Sequence, residues 1–233
     1  MALSKRLECI LQEISCVTLA DIGSDHGLIP VSALEEGRCQ KAIATDISAS
    51  SEKNVLQLAG ARGVLDRIEF RRGDGLAPLS LGEAQVIVIT GMGGLLIESI
   101  VKNHLDLALK SRLVLSPQRD QPILRKSLGE MGFAIKKERL VFEGEKPYNI
   151  FVCEADKEKE YTELELLFGR RLLEEKNPEL LRLLETKLNK DKLLLQRLKA
   201  SGKDDRSRNR IGEVESSIAQ EEGAIRWLSK PNG

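Results

Sequence analysis

The sequence lacks three features, each of which would indicate a different class of protein. Its apolar stretches, such as Val86–Ile89, stay far below the roughly 20 residues that a membrane-spanning helix needs, so we expect a soluble protein. Its four cysteines form no CxxC pair and no dense framework, which favours reduced thiols over disulfides or metal ligands. Residues 1–15 contain no long apolar signal segment. Together these absences predict a cytoplasmic protein without a bound metal.

The sequence also contains few aromatic side chains and has no excess of charge of either sign. The 233 residues include 36 basic and 36 acidic ones, so the formal net charge is zero, and only 3% of the chain is aromatic. The 41% of hydrophobic residues suffice for a buried core, which excludes collagen-like and fully disordered chains. A net charge of zero still allows opposite charges to be concentrated in different parts of the chain.

Hydrophobic periodicity predicts an α/β fold for the first part of the chain. Residues 4–14 have the spacing of an amphipathic helix. Short β-rich runs then alternate with helix-like segments; the runs are 17–22, 42–45, 68–70, 86–90 and 113–115, and the helices are 29–36, 51–61, 94–102 and 121–131. This alternation predicts a mainly parallel sheet with a ligand at the carboxyl ends of its strands. Residues 134–141 and 148–153 are expected to form an antiparallel pair at the sheet edge.

The composition changes after Glu154, where the chain becomes charged and leucine-rich and has no strand signal. Apolar residues recur at spacings of three and four on both sides of the polar segment 200–209. This pattern predicts two helices of about 20 residues that fold into an antiparallel, coiled-coil hairpin. We therefore predict two domains, residues 1–154 and residues 155–233.

The first predicted strand ends in an acidic turn, Asp21-Ile22-Gly23-Ser24-Asp25-His26-Gly27. In a doubly wound sheet this turn holds a nucleotide-type ligand, because glycine lets the ligand approach the backbone and the next helix offers free amides. The dinucleotide fingerprint GxGxxG is absent, and the two acids would repel a pyrophosphate. The turn therefore suits a cationic ligand with an amino-acid moiety. A plain strand-to-helix turn, with His26 capping the helix, is the alternative.

Two more predicted strands end in carboxylates. Asp46, followed by Ile47, ends the second strand, where an acid can accept hydrogen bonds from both hydroxyls of a ribose. Asp74 and Gly75 follow the third strand, where a carboxylate can meet the exocyclic amine of an adenine. Taken singly, Asp46 also suits a helix N-cap and Asp74 a turn. Their order in one βαβ series predicts adenosine with an amino-acid tail, which is S-adenosylmethionine.

The fourth predicted strand ends in Gly91-Met92-Gly93-Gly94. Three glycines allow a substrate base to lie against the backbone at the position of methyl transfer. This reaction depends on the alignment of donor and acceptor and on charge stabilisation more than on covalent chemistry by the protein. Met92 is equally suited to filling space between packed elements.

Five motifs carry a resemblance to a known family. In chain order they are Asp21–Pro30, Gly73-Asp74-Gly75-Leu76, Thr90-Gly91-Met92-Gly93-Gly94, Ser116-Pro117-Gln118 and Lys146-Pro147-Tyr148. Over residues 1–154 the sequence resembles the bacterial TrmK-like tRNA (adenine-N1)-methyltransferases, which act at position 22. The resemblance implies a class I Rossmann-like methyltransferase domain, S-adenosylmethionine as the cofactor and a tRNA adenine as the acceptor.

The family pattern also implies roles for individual residues. Cofactor contacts are expected from Asp21, Gly23, Asp46, Ile47, Asp74 and Gly75. A catalytic role is expected for Asp25, His26, Gly91, Met92 and Gly93, and substrate contacts are expected from Arg6, Gly94 and Tyr148. With so few rings available for stacking, Tyr148 is the aromatic residue expected near the target base. This chain has Gln118 where the family commonly has an asparagine.

The chemistry of the acceptor suggests what the acidic turn would do. N1 of adenine carries a lone pair and no proton at neutral pH, so it can attack the methyl group directly and then becomes positively charged. We expect Asp25 to orient the base and to stabilise this developing charge.

The predicted hairpin offers a contact for RNA. Residues 176–210 contain 11 basic and five acidic side chains. Lys187, Lys190 and Arg197 are expected to bind phosphates, although a solvated coiled-coil face would have the same composition.

Two other functions stay open: a methyltransferase for a small molecule or protein that dimerises through the hairpin, and a nucleotide-binding Rossmann protein without methyl transfer. The oligomeric state is not determined by the sequence.

Overall fold

A computed structural model describes residues 3–201 and 205–230 of the chain, which divides into two compact units, residues 1–160 and residues 161–233. The strands of the first unit are β1 (Thr18–Ile22), β2 (Lys41–Asp46), β3 (Ile68–Arg72), β4 (Val86–Thr90), β5 (Arg112–Ser116), β6 (Phe133–Glu143) and β7 (Lys146–Ala155). Its helices are α1 (Lys5–Gln12), α2 (Leu28–Glu35), α3 (Ala49–Ala61), α4 (Gly94–Asn103), α5 (Leu105–Ala108) and α6 (Gln121–Glu130).

The seven strands form one sheet in the order β3-β2-β1-β4-β5-β7-β6. Strands β1 to β5 are parallel, whereas β7 runs antiparallel to both β5 and β6. The order reverses between β1 and β4, so the ends of these two strands border the crevice where such sheets bind ligands. The prediction of a mainly parallel α/β sheet with an antiparallel pair at one edge is confirmed.

Side chains along the central strands alternate between two apolar layers. Ala20 and Ile22 belong to one buried cluster and Leu19 to the other, and Ile87 and Val88 alternate in the same way. This is the pattern of strands with helices packed on both faces, because successive side chains of a strand point to opposite sides. The sheet is thereby a rigid support for the loops at its carboxyl edge.

The connection between β6 and β7 is tighter than expected. The predicted strands leave residues 142–147 between them, but Glu143 pairs directly with Lys146, and Gly144 takes a φ of +61° in the two-residue link. Because β7 is antiparallel to β5, with Leu115 paired to Phe151, the hairpin tip extends past the carboxyl end of β5. The tip therefore lies at the same sheet edge as the ends of β1 to β4.

The second unit is helical, with α7 (Glu163–Phe168), α8 (Arg170–Glu174), α9 (Pro178–Ser201) and α10 (Asp205–Ser229). The ion pairs Lys187–Glu221 and Lys199–Glu215 join α9 to α10 and show that the two helices are antiparallel. The predicted helical hairpin is thus confirmed, although the two short helices before it were not predicted. None of the helices in the described part of the chain combines the length and apolarity needed to cross a bilayer.

Candidate active site

A cavity of about 450 Å³ lies at the carboxyl edge of the sheet, where the ends of β1, β2, β3 and β4 meet. Its volume is within the range of small-molecule and cofactor sites. Three carboxylates are on its wall, and the lining residues are Ile22, Gly23, Asp25, Asp46, Ile47, Ser48, Ser51, Gly73, Asp74, Gly75, Met92, Leu96 and Ile100. The structure therefore brings the three acidic strand ends into one cavity with Met92.

Gly23 allows the turn after β1 to pass close to Met92, in the loop after β4. Its φ is +74°, and its N–H donates to the carbonyl of Thr45 at 2.8 Å, while the next N–H, of Ser24, donates to the same oxygen at 2.9 Å. A Cβ at this position would overlap the terminal methyl group of Met92. Glycine is thus favoured at position 23 by its backbone conformation, and a larger residue would also have to displace the flexible end of Met92.

A backbone hydrogen bond joins the ends of β2 and β3. Oδ1 of Asp46 accepts the N–H of Ser48 at 2.8 Å, and the carbonyl of Asp46 accepts the N–H of Gly73 at 3.0 Å. Gly75 has a φ of +52°, and a Cβ there would come within 3.1 Å of Ile100. These contacts hold Asp46 and Asp74 on one wall, with the exposed side chain of Ile47 beside them.

Asp21 is buried and does not line the cavity. Burial raises the pKa of its carboxyl group to about 7, and the nearby negative charge of Asp46 acts in the same direction. The expected contact of Asp21 with the cofactor therefore stays a prediction.

Asp25 and His26 lie on the solvent side of the turn. The His26 Nε2 atom is 3.3 Å from the Asp25 Oδ2 atom, and both side chains are largely exposed. Ser51 donates a hydrogen bond to Asp25 Oδ1 at 3.3 Å, and the side-chain amide of Asn54 donates to the Asp25 carbonyl at 3.4 Å. Asp25 is therefore oriented from α3 while it faces the cavity, whereas His26 is not on the cavity wall.

The loop after β4 is held by the loop after β5. The N–H of Gln118 donates to the carbonyl of Met92, and the N–H of Gly94 donates to the carbonyl of Arg119, both at 2.9 Å. Gly91 is exposed with a φ of +77°. Of the four residues Gly91 to Gly94, Met92 alone is on the cavity wall.

Arg6 and Tyr148 come together at the tip of the β6–β7 hairpin. The guanidinium carbon of Arg6 is 4.8 Å from the centre of the Tyr148 ring, and Lys146 Nζ is 4.9 Å from the same ring. The Arg6 N–H donates to Glu143 at 3.2 Å. These residues are at the sheet edge that carries the cavity but are not part of its wall.

The three basic residues singled out in the hairpin have different surroundings. The Lys187 Nζ atom is 2.5 Å from Oε1 of the buried Glu221, so the ion pair neutralises much of the positive charge of Lys187 within the hairpin. Lys190 and Arg197 are both exposed. The charge balance of the whole second unit also differs from that of residues 176–210, because residues 161–233 contain 15 basic and 13 acidic side chains. The excess of positive charge is thus smaller than residues 176–210 suggest.

Several wall residues were missed by the sequence analysis. Leu96 and Ile100 are four apart on α4, so they share one face, and this spacing after the glycine loop was an available signal. Ser48 and Ser51 had no comparable signal, because serines are common at helix starts. No three His, Cys, Asp or Glu side chains within residues 3–201 and 205–230 are grouped so that they could hold a metal.

Comparison with known proteins gives a consistent result. The model of the family TrmK, tRNA (adenine(22)-N(1))-methyltransferase, matches residues 19–223. The tRNA (adenine(22)-N(1))-methyltransferase of Bacillus subtilis is 30% identical over 221 residues, which are 92% of this chain and 93% of the relative.

Solved structures agree with this match. The crystal structure of the Bacillus subtilis enzyme has a TM-score of 0.82 at 28% identity and covers 96% of this chain and 99% of its own. Sp1610 of Streptococcus pneumoniae, in complex with S-adenosyl-L-methionine, has a TM-score of 0.84 at 28% identity, covering 96% of this chain and all of its own. The class I methyltransferase fold is confirmed, and the chain belongs to the TrmK family of tRNA (adenine(22)-N(1))-methyltransferases.

Proposed function

We propose that this chain transfers a methyl group from S-adenosylmethionine to N1 of the adenine at position 22 of tRNA, and that it does so in the cytoplasm. The observation that carries the proposal is the cavity lined by Asp25, Asp46 and Asp74 in a chain of this family. Family membership also favours methyl transfer over the alternative of a nucleotide-binding protein without it. Family membership favours tRNA over a small molecule or a protein as the substrate in the same way.

The cavity suits this cofactor in charge and in shape. S-adenosylmethionine supplies a methyl group on a positively charged sulfur. Asp46 would accept hydrogen bonds from the ribose hydroxyls, and Asp74 and Ile47 would surround the adenine. Gly23 and Gly75 have positive φ angles and lie on the cavity wall, so the backbone there can approach a ligand without a side chain of its own in between. Asp21, buried near the end of β1 and not on the cavity wall, would support the turn that follows.

Asp25 would act on the acceptor. It faces the cavity, accepts a hydrogen bond from Ser51 and has His26 beside it. A carboxylate there can accept a hydrogen bond from the exocyclic amine of the target adenine and stabilise the positive charge that develops on the ring. The Gly91 to Gly94 loop would leave room for the base, and Met92 would border the position of methyl transfer.

The proposal is tested by incubating the protein with labelled S-adenosylmethionine and unmodified tRNA, followed by nucleoside analysis. We expect the label in 1-methyladenosine. Label in a small molecule or protein, with none in tRNA, would support the rival methyltransferase function.

Lys190 provides a test of RNA contact by the helical unit. Each phosphate contact from a basic side chain changes the dependence of log K on log salt by about one. We expect Lys190→Ala to lower that slope by about one, whereas Lys110→Ala, which removes an exposed cation just before β5, should leave it unchanged. An unchanged slope for Lys190→Ala would assign this lysine to the solvated face of the hairpin.

A further inference from the structure

Two exposed aliphatic side chains and one arginine lie at the sheet edge that carries the cavity. Leu95, in the first turn of α4, is 54% exposed, and Ile123, in the first turn of α6, is 47% exposed. Arg119 lies between β5 and α6, and 81% of its side chain is exposed. Single exposed aliphatic residues are common on protein surfaces, but these two begin neighbouring helices at the sheet edge that carries the cavity. Leu96, next to Leu95, is on the cavity wall.

Tight backbone contacts fix the starts of α4 and α6 side by side. A Cβ at Gly94 would come within 2.8 Å of the Asp120 carbonyl oxygen and 2.9 Å of that of Arg119. A Cβ at Gly93 would come within 2.9 Å of the Arg119 Nε atom. The guanidinium of Arg119 therefore lies against the loop that carries Met92. Neither glycine can be replaced without moving the arginine or its backbone.

Asp120 takes the left-handed backbone conformation just before α6. Its φ is +60°, a region that Asp adopts more readily than most residues with a Cβ. Its carbonyl accepts the N–H of Leu124 at 3.0 Å and so begins α6. Because the Gly94 N–H also donates to the Arg119 carbonyl at 2.9 Å, the backbone of Arg119 is fixed beside the loop that carries Met92.

The charge of Arg119 is opposite to that of the cavity. The wall carries Asp25, Asp46 and Asp74, whereas Arg119 lies outside it. Its Nε is 3.6 Å from Asp120 Oδ2, and an ion pair this exposed holds the side chain only weakly. Arginine binds phosphate through two parallel N–H groups, so an exposed guanidinium here is suited to the backbone of an incoming RNA strand.

The proposed reaction requires that an RNA strand be opened. N1 of a paired adenine faces the partner base, so a paired target nucleotide must leave the stack before N1 can react. Proteins that open a duplex insert aliphatic side chains between bases and hold the strand with basic ones. We propose that Leu95 and Ile123 occupy the stacking space that the target adenine leaves, while Arg119 binds a phosphate next to it. This inference rests on the proposed function.

The test compares two RNA substrates. One is tRNA with its target adenine paired, and the other is the same tRNA with the partner base changed so that the adenine is unpaired. For Leu95→Ser/Ile123→Ser we expect kcat/KM to fall at least about tenfold on the paired substrate and by less than about threefold on the unpaired one. Leu81→Ser, at an exposed leucine between β3 and β4, should behave as wild type on both.

Arg119 is tested by its salt dependence. Arg119→Ala should raise KM for tRNA and lower the salt slope by about one, and Arg119→Lys should retain the slope. Lys126→Ala, at an exposed cation on α6 that pairs with Glu130, should change neither quantity. Thermal unfolding and the affinity for S-adenosylmethionine should be the same for all these variants, because none of the substituted side chains is buried or on the cavity wall.

The outcomes separate this inference from the proposed function. If wild type methylates both RNAs and the double variant matches it on the paired substrate, or loses equally on both, the opening role of Leu95 and Ile123 is overturned. An unchanged salt slope for Arg119→Ala overturns the phosphate contact. If wild type methylates neither RNA at N1 of adenine, the proposed function itself fails, and the inference fails with it.

Discussion

Asp46 offers a sharp test of the cavity as a cofactor site. Within residues 3–201 and 205–230 its side chain accepts one described hydrogen bond, from the Ser48 N–H to Oδ1 at 2.8 Å. Asp46 lines the cavity, so its remaining acceptor positions would be available to ribose hydroxyls. In Asp46→Asn the Oδ1 atom can still accept the Ser48 N–H, so α3 should begin normally. The charge and one acceptor are lost.

The expected size of the effect follows from the bonds that are removed. A hydrogen bond to a charged group contributes roughly 1.5–3 kcal/mol, so the loss of one should raise the Kd for S-adenosylmethionine about 10- to 150-fold. Isothermal titration calorimetry measures this Kd, and thermal unfolding checks the fold.

Asp106→Asn is the matched control, since it removes an exposed carboxylate on α5. It should leave the Kd unchanged. A Kd for Asp46→Asn within about threefold of wild type, with an intact fold, would refute the assignment of Asp46 to the ribose.

Three further predictions concern the end of β1 and the turn that follows it. Asp25→Asn should lower the single-turnover rate of tRNA methylation by about a hundredfold without changing the cofactor affinity, and a rate near that of wild type would remove Asp25 from the mechanism. The pKa of Asp21 is raised by burial to about 7, so the folded state holds its proton more tightly than the unfolded state and loses stability as the pH rises from about 4 to 7. The free energy of unfolding of Asp21→Asn should therefore rise relative to that of wild type as the pH rises, by on the order of 4 kcal/mol at most at pH 8. Urea unfolding of both proteins at pH 5 and pH 8 measures this difference. An equal difference at the two pH values would contradict the prediction. Gly23→Ala should destabilise the fold by about 1–3 kcal/mol. The double variant Gly23→Ala/Met92→Ala should lose less stability than the two single variants together, because the second change removes the overlapping methyl group. Strict additivity in urea unfolding would show that the overlap is not the cause.

The fold was largely predictable because its signals are local. Apolar runs such as β4 and helical spacing such as that of α4 depend on neighbouring residues alone, and strand alternation with helices leads directly to a parallel sheet. Element ends were less predictable: α1 ends at Gln12 rather than at residue 14, and β7 begins at Lys146 rather than at residue 148. Such ends depend on tertiary contacts, here the pairing of Glu143 with Lys146.

The candidate site was predictable only where the sheet topology places residues. Asp25, Asp46 and Asp74 meet because parallel strands end at one edge, whatever the details of packing. Whether a side chain on the strand itself points into the cavity is a matter of packing, and Asp21 is buried instead. The same limit applies to Arg119, whose position depends on the contact between its loop and Gly94. The roles of these residues and a domain boundary at residue 154 stay predictions.

The charges of the helical unit show a different limit. Counting along residues 176–210 finds the basic side chains of α9 but not the acids of α10 that face them. Lys187, Lys192 and Lys199 each pair with a glutamate of α10. Such pairing needs the register between two helices, which single-helix periodicity does not contain.

The central claim is that this chain methylates N1 of one adenine in tRNA. Methylation at N1 blocks Watson–Crick pairing, so reverse transcription of the product stops at the modified base. After incubation with S-adenosylmethionine, unmodified tRNA should acquire a stop at position 22, and tRNA with guanine at that position should acquire none. A stop elsewhere, or none in either RNA, would contradict the account.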